Sequence, residues 1–444
     1  MRHVFLASAL LGSLSSPSLA DPLEQYFAPS AYGCRNLQAD PQTPILEGKD
    51  GVFYRVYADI RMQHPMSDRA VGLMAQLSER LAARGTTLVF APVPTKSLAM
   101  PEQLPDVAEL YGYDLGIARA VYDDVIARLE ASGVVSVNLA DAMHAPDVEG
   151  IPFFKTDFHW TAEGARRAAS AIADRLGVLP GFDEIEKTDF ETVPMETAVA
   201  FSGLRRETQI KCAAQVPEPI TMTWATSAVA SGAAGGGAID LFGGGASDGT
   251  IAIAGTSFSD MAIANFDGWL SQYSGLETAN YAITGGNQFG AMLSYLTSDE
   301  FDEAPPRFLI WENPIYNNLM QYGDWPMLEL IAAAQGACTS PVAFRKTEDR
   351  QIEATLSGLN LAAGAMLYLD AGREGLRDIA LTFALADGSS RSRYRQRGER
   401  LRATGRFYVP FGGLGPSAPT RVVIDFDRPV PDTTTLSICN LESY

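Results

Sequence analysis

The sequence predicts an α/β domain with a mainly parallel sheet, followed by an all-β domain of the sandwich type. Between residues 67 and 335, amphipathic helical segments alternate with short apolar strands, an order that is typical of parallel sheets. From Thr339 onward, short segments of alternating polarity are separated by Gly, Asp, Asn and Pro, as in antiparallel sandwiches. We therefore expect domains at 21–337 and 338–444, after a leader at 1–20.

The leader has the pattern of a secretory signal peptide. Arg2 supplies the positive start, residues 4–14 form an apolar run, and Ser18-Leu19-Ala20 matches a small-x-small cleavage site. The apolar run is too short to span a bilayer. We expect an exported, periplasmic protein whose mature chain begins near Asp21.

Composition limits the classes of function. A hydrophobic content of 46% and a charged content of 20% describe a folded protein rather than a disordered one. The formal net charge of −19 argues against nucleic acid as a partner. Four cysteines allow two disulfides in an oxidising compartment, with three possible pairings. Neither cysteines nor histidines show zinc-ligand spacing, so we expect no metal and no cofactor.

The first α/β elements follow from apolar periodicity. It predicts a helix over 67–84 that ends at Gly85, then a buried strand over 86–94. A helix at 116–131 and a strand at 134–139 repeat the alternation.

The first chemical pattern is TDFHWT, residues 156–161. Asp157 and His159 are two positions apart, so in an extended segment their side chains leave the same face. A carboxylate there can hold an imidazole in one tautomer and stabilise its protonated form, as in hydrolase triads. Thr161 is the expected N-cap of a helix that Gly177 ends. The alternative is that Asp157 only caps or turns the chain and His159 fills space.

Residues 178–250 interrupt the alternation and contain a Gly/Ala/Ser-rich run at 231–249. We interpret 231–238 as a flexible surface loop. The run is not a phosphate loop, because no GK[ST] follows and dinucleotide spacing is absent.

The α/β pattern resumes at Thr250 with a buried strand ending at Gly255, which places Ser257 at the mouth of a helix. A serine on a strand-to-helix turn exposes its hydroxyl beside helix N–H groups that can stabilise an oxyanion. The alternative is that Ser257 is only a helix cap. The remaining predicted elements are a strand at 278–283, a helix ending near Thr297, a strand at 307–312 followed by Asn313, and a helix at 326–335.

The C-terminal domain contains a basic segment, residues 391–406. Seven arginines and one glutamate give it a local charge of +6 in a chain of net charge −19. On a strand the first four arginines share one face, with Tyr394 on the other. A row of guanidinium groups beside an aromatic suits the bidentate binding of carboxylates on an acidic polysaccharide. The alternative is an edge strand that charge protects from pairing. The candidate polysaccharide-binding residues are Arg391, Arg393, Tyr394, Arg395 and Arg397.

Five stretches, EGKDGVFYR, PVPTK, TDFHWTAEGA, GTSFS and IWE, occur in this order. Together they resemble the SGNH hydrolase-like alginate O-acetyltransferases of the AlgX/AlgJ type. The resemblance covers essentially the whole mature chain, and the C-terminal β-domain is closer to the AlgX branch. It implies a circularly permuted SGNH-like domain followed by a carbohydrate-binding module.

The resemblance also implies residue roles. Ser257 would be the nucleophile, His159 the base and Asp157 its orienting carboxylate, with the pair preceding the serine in the permuted order. Gly286 and Asn313 follow in the order of the SGNH oxyanion-hole residues, although the GxND motif is absent. Disulfides Cys34–Cys212 and Cys338–Cys439 are implied as well.

The implied function is a periplasmic polysaccharide O-acetyltransferase that acetylates an alginate-like polyuronate through an acetyl-serine. Its partners would be the acidic polysaccharide, an acetyl donor that the sequence does not identify, and proteins of an exopolysaccharide export complex. Two alternatives stay open. One is a carbohydrate acetyl esterase that uses the same residues. The other is a non-catalytic, polymer-binding scaffold in which Ser257 only caps a helix.

Overall fold

A computed structural model describes residues 28–440, apart from 65, 146–148, 230–249, 337, 339, 362–363 and 373–374. The predicted signal peptide and the Gly-rich run at 231–249 lie outside the described residues. Within the described part, none of the helices combines the length and the apolar character that crossing a membrane requires.

The described elements are numbered in chain order. The helices are α1 Asp68–Ala82, α2 Lys96–Ala99, α3 Leu115–Ala131, α4 Leu139–Met143, α5 Ala162–Gly177, α6 Gly203–Ile210, α7 Ser257–Asp260, α8 Phe266–Ser274, α9 Gly290–Leu296, α10 Asp299–Glu303 and α11 Trp325–Gln335. The strands are β1 Ile45–Glu47, β2 Phe53–Arg55, β3 Thr87–Val93, β4 Val135–Ser136, β5 Phe190–Val199, β6 Ile220–Ala228, β7 Ile251–Ala254, β8 Thr278–Asn280, β9 Phe308–Pro314, β10 Ser340–Pro341, β11 Phe344–Glu348, β12 Gln351–Thr355, β13 Ala365–Asp370, β14 Asp378–Leu385, β15 Ser390–Gln396, β16 Arg406–Pro410, β17 Pro419–Phe426 and β18 Thr435–Asn440.

The first domain is built on a five-stranded parallel sheet of order β4-β3-β9-β7-β8. The side chains of β7 and β9 are fully buried, as expected for central strands of a parallel sheet covered by helices. Helix α1 packs on α11, and α5 packs on α8. The predicted parallel α/β architecture is therefore confirmed.

Two strands are shorter than the sequence predicted, and each has a local cause. The Asn138 side chain accepts a hydrogen bond from the Asp141 N–H and begins α4, so β4 ends at Ser136. The Asn280 side chain accepts from the Ala282 N–H at 3.0 Å, which ends β8 at Asn280. In both places an Asn side chain competes with the strand for backbone hydrogen bonds.

The region that interrupted the alternation contains an antiparallel pair, β5 and β6, with α6 between the two strands. Sequence analysis assigned no element here, because most side chains of β5 are exposed and show no continuous apolar alternation. A disulfide joins Cys212, just after α6, to Cys34.

The second domain consists of two antiparallel sheets, which confirms the predicted all-β architecture. Their strand orders are β10-β18-β13-β16 and β11-β12-β17-β14-β15, so β15 lies at the edge of its sheet. A separate core that includes Ile352, Leu381 and Phe407 fills the space between the sheets. The second disulfide joins Cys338 to Cys439 on β18.

Candidate active site

The structure brings Asp157, His159 and Ser257 into one hydrogen-bonded chain. His159 Nε2 lies 2.8 Å from Ser257 Oγ, and His159 Nδ1 lies 2.5 Å from Asp157 Oδ1. The same carboxylate oxygen accepts the backbone N–H of His159 at 2.8 Å. Because the Nδ1–H donates to the Asp157 carboxylate, Nε2 is left as an acceptor that faces the serine hydroxyl.

Burial and hydrogen bonding determine the ionisation of Asp157. Asp157 is fully buried, which opposes its ionisation, but the hydrogen bond and charge of His159 hold the pKa of the carboxyl below its ordinary value. The rings of Phe158 and Phe258 lie 4.1 and 4.9 Å from the His159 ring, measured between centroids. The imidazole therefore sits between an anionic carboxylate and two apolar rings.

Ser257 stands on the turn between β7 and α7. The side chain that caps α7 belongs to Thr256, whose Oγ1 accepts from the Phe258 N–H, and Ser257 is the first helical residue. The helix at this turn is short and ends at Asp260. The cap of α7 is therefore Thr256 and not Ser257, whose Oγ is hydrogen-bonded to His159 instead.

The segment after His159 is tied both to α5 and to the serine turn. Thr161 Oγ1 accepts from the Gly164 N–H at 3.2 Å, which confirms the predicted N-cap. The Trp160 indole N–H donates to the Phe258 carbonyl at 2.8 Å. This contact joins the two chain segments that carry the imidazole and the hydroxyl.

Lys96, at the start of α2, holds the segment that carries Asp157. It is completely buried, and its Nζ donates to the carbonyls of Phe53, Lys155 and Asp157 at 2.8, 3.0 and 3.0 Å. Burial lowers the pKa of Lys96 to about 7. The motif PVPTK contains this lysine but predicts no role for it, because the three carbonyls that converge on it are distant in the sequence.

The two candidate oxyanion-hole residues occupy different surroundings. Gly286 lies in the loop after β8, where its N–H donates to the Ile283 carbonyl at 3.0 Å. Asn313 is buried in β9, and its side-chain oxygen accepts from Asn317 Nδ2 at 2.9 Å. The oxyanion-hole assignment of both residues stays a prediction.

The arginine row lies on β15 with the alternation that the sequence predicted. Tyr394 is 68% exposed, whereas Arg393 and Arg395 are partly buried against the Trp325 ring of α11. Their guanidinium carbons lie 4.0 and 4.8 Å from that ring's centroid. One face of the row thus packs on the first domain.

The end of the row forms a buried charge cluster with Glu329 of α11. Arg397 is buried and donates to Glu329 Oε1, while Arg395 Nε lies 3.7 Å from Glu329 Oε2. The Tyr408 N–H also points at Glu329 Oε1, at 3.4 Å. Polysaccharide binding by the row stays a prediction, and Arg391 and Tyr394 are its exposed members.

A parallel sheet with Ser, His and Asp hydrogen-bonded beyond the end of a central strand defines an SGNH hydrolase-like protein, here with a second, antiparallel domain. Residues 45–315 match the ALGX family, described as the SGNH hydrolase-like domain of the acetyltransferase AlgX. Because this match extends over more than half of the chain, the chain belongs to that family.

Two relatives and one solved structure illustrate the similarity. The alginate biosynthesis protein AlgX of Pseudomonas aeruginosa is 31% identical over 279 residues, which cover 63% of this chain and 57% of that protein. The probable alginate O-acetylase AlgJ of the same organism is 29% identical over 273 residues, covering 57% of this chain and 66% of that one. The matched segment thus spans less than two thirds of either relative. The structure of P. aeruginosa AlgX superposes with a TM-score of 0.74 at 22% identity, over 94% of this chain and 98% of that chain, and shows the same fold.

Replacing Lys96 with methionine should destabilise the protein. The change removes a donor from three carbonyls, of which that of Lys155 still accepts the Phe53 N–H at 2.8 Å. A buried carbonyl that loses its donor costs about 1–3 kcal/mol. Urea denaturation should show a loss of more than about 2 kcal/mol in the free energy of unfolding. Lys155→Met is the matched control, because its Nζ donates to the Asp50 carbonyl at the exposed surface. Equal stabilities of the two variants would contradict the role of Lys96.

Replacing Arg397 with alanine should weaken the junction of the two domains. The change removes the guanidinium that donates directly to the buried Glu329 carboxylate and leaves it only the longer contacts with Arg395 and the Tyr408 N–H. Breaking a buried ion pair costs about 3–5 kcal/mol. The comparison is Arg391→Ala on β15, where the side chain is exposed and the expected loss is below about 0.5 kcal/mol. A Tm for Arg397→Ala as high as that of Arg391→Ala would show that the cluster does not stabilise the junction.

Proposed function

We propose that this protein is a periplasmic O-acetyltransferase that acetylates hydroxyls of an alginate-like polyuronate through an acetyl-serine at Ser257. The observation that carries the proposal is the hydrogen-bonded chain Ser257–His159–Asp157. The names of the relatives, an alginate biosynthesis protein and a probable alginate O-acetylase, support the choice of polymer and reaction. Two disulfides are typical of proteins outside the reducing cytoplasm and support the periplasmic location.

In the first half-reaction, His159 Nε2 takes the proton of Ser257 Oγ as the oxygen attacks the acetyl carbonyl of the donor. The new bond joins Oγ to the carbonyl carbon. The bond from that carbon to the donor's leaving oxygen breaks, and His159 returns its proton to this oxygen. Asp157 stabilises the imidazolium between the two transfers.

The negative charge on the acetyl oxygen needs donors, and each preorganised one contributes about a hundredfold in rate. Backbone N–H groups at the start of α7, Gly286 and the Asn313 side chain remain our candidates. Their assignment rests on chain order within the family and on the position of the turn.

In the second half-reaction, a sugar hydroxyl attacks the acetyl-serine. His159 removes the hydroxyl proton and passes it to Ser257 Oγ as the ester bond to the serine breaks. The apolar rings of Phe158 and Phe258 lie against the imidazole, and an apolar surrounding of this kind would favour a sugar over water as the acceptor. An esterase would use the same residues with water as the acceptor.

The second domain supplies the proposed polymer contact. A uronate chain running along the free edge of β15 would meet Arg391 on one face and Tyr394 on the other. A guanidinium binds a sugar carboxylate, and a tyrosine ring packs on a sugar face. The acetyl donor and any partners in an export complex are outside this proposal.

Ser257→Ala should abolish acetyl transfer while leaving the fold and alginate binding unchanged. The assay combines an acetyl-ester donor with an unacetylated polyuronate and measures acetyl groups on the polymer and free acetate. The control is Ser274→Ala, a buried serine of α8 remote from the hydrogen-bonded chain. Full transfer by Ser257→Ala would contradict the acetyl-serine at this residue. Neither acetylated polymer nor free acetate from the unmodified protein would leave the scaffold alternative, and acetate without acetylated polymer would establish the esterase.

The double variant Arg391→Ala/Tyr394→Ala should weaken polyuronate binding and flatten its dependence on salt, because an exposed charge contact is screened by ions. Affinity is measured by calorimetry at two ionic strengths. Arg345→Ala, at the opposite edge of the same sheet, is the control. If the two variants bind equally well, β15 is only a charge-protected edge.

A further inference from the structure

A buried carboxylate from the neighbouring strand holds the turn that carries Ser257. Strand β9 pairs in parallel with β7, with Ala254 opposite Trp311, so Glu312 lies beside the residues that follow β7. Glu312 Oε2 accepts the Thr256 N–H at 2.7 Å and the Ser259 hydroxyl at 3.0 Å. Its Oε1 accepts the Thr256 hydroxyl at 3.0 Å. These three donors come from residues on both sides of Ser257 in the chain.

Gly255 allows this close approach. A Cβ added at Gly255 would lie 2.6 Å from Glu312 Oε2, which is too short for a real contact, and 3.0 Å from Ser259 Oγ, which is unusually tight. Any larger residue would push the carboxylate away from the turn. The glycine of GTSFS and the glutamate of IWE therefore act as one structural unit.

Stability alone does not account for a carboxylate at this place. Glu312 is fully buried, and burial raises its pKa to about 7, although hydrogen bonds from Thr256 and Ser259 favour the anion. Buried ionisable groups can often be replaced by well-packed neutral ones without loss of stability. The carboxylate supplies acceptors for three donors, and it holds these donors in a fixed geometry around Ser257.

We propose that Glu312 is a positioning residue for Ser257, which keeps the serine Oγ within hydrogen-bonding distance of His159 Nε2. The inference rests on the proposed acetyl-serine function. Glu312 acts through Thr256 and Ser259 and touches neither the substrate nor the reacting atoms. Because a misplacement of about 1 Å can cost a hundredfold in rate, loosening the turn should lower kcat more than it changes binding.

The test compares Glu312→Ala with Glu312→Gln. Alanine removes all the acceptors, and we expect kcat to fall about a hundredfold with KM changed less than about twofold. Glutamine keeps the shape of the side chain and one carbonyl oxygen that can accept the Thr256 N–H. We therefore expect kcat of Glu312→Gln to be at least about tenfold higher than kcat of Glu312→Ala. The rate at which a fluorophosphonate labels Ser257 should fall in parallel with kcat, since it depends on the same hydroxyl. Ser274→Ala again serves as the control.

A kcat and a labelling rate for Glu312→Ala equal to those of Ser274→Ala would overturn the positioning role. So would an equal loss in the alanine and glutamine variants. Should Glu312→Ala not fold, Ser259→Ala decides, because it removes one hydroxyl donor to Glu312 and leaves the Thr256 cap of α7 in place. We expect an approximately tenfold lower kcat from it, and a rate equal to the control overturns the inference. Failure of the proposed function looks different, since Ser257→Ala would then remain active.

Discussion

The hydrogen bond between His159 Nε2 and Ser257 Oγ is the contact on which the rest of the structure depends. It joins residues 98 positions apart, so neither local segment can form it alone. Each segment is fixed by a buried charged group from another element. The Lys96 ammonium binds the carbonyls of the segment that carries Asp157, and the Glu312 carboxylate binds the donors of the serine turn. Both groups form hydrogen bonds to backbone atoms, so they fix the main chain rather than a mobile side chain.

The second domain is joined to the first through the same strand that was predicted to bind polymer. Arg395 and Arg397 face Glu329 of α11, and the Trp325 ring lies beneath Arg393 and Arg395. The inner part of the row contacts α11 of the first domain, and Arg391 and Tyr394 are exposed. In this arrangement the proposed polymer contact would have a fixed orientation relative to the catalytic domain.

Much of the fold could be predicted from the sequence because its signals are local. Apolar periodicity located α1 and α3 within two residues, and the Asp-x-His pattern with its N-cap identified half of the site. Contacts between distant segments could not be predicted in this way. An alternating arginine row does not show which face meets α11, and nothing in PVPTK or IWE shows that Lys96 and Glu312 converge on the site. The β5–β6 pair was missed because its exposed side chains lack a continuous pattern.

The most direct measurement is the identification of the acylated residue. The purified protein is incubated with an acetyl-ester donor in the absence of polymer, quenched, digested and analysed by mass spectrometry. The account predicts one acetyl group on the peptide that contains Ser257, attached to that serine, and its disappearance when a polyuronate is added. Acetylated polymer formed with no acetyl on Ser257 at any time would contradict it.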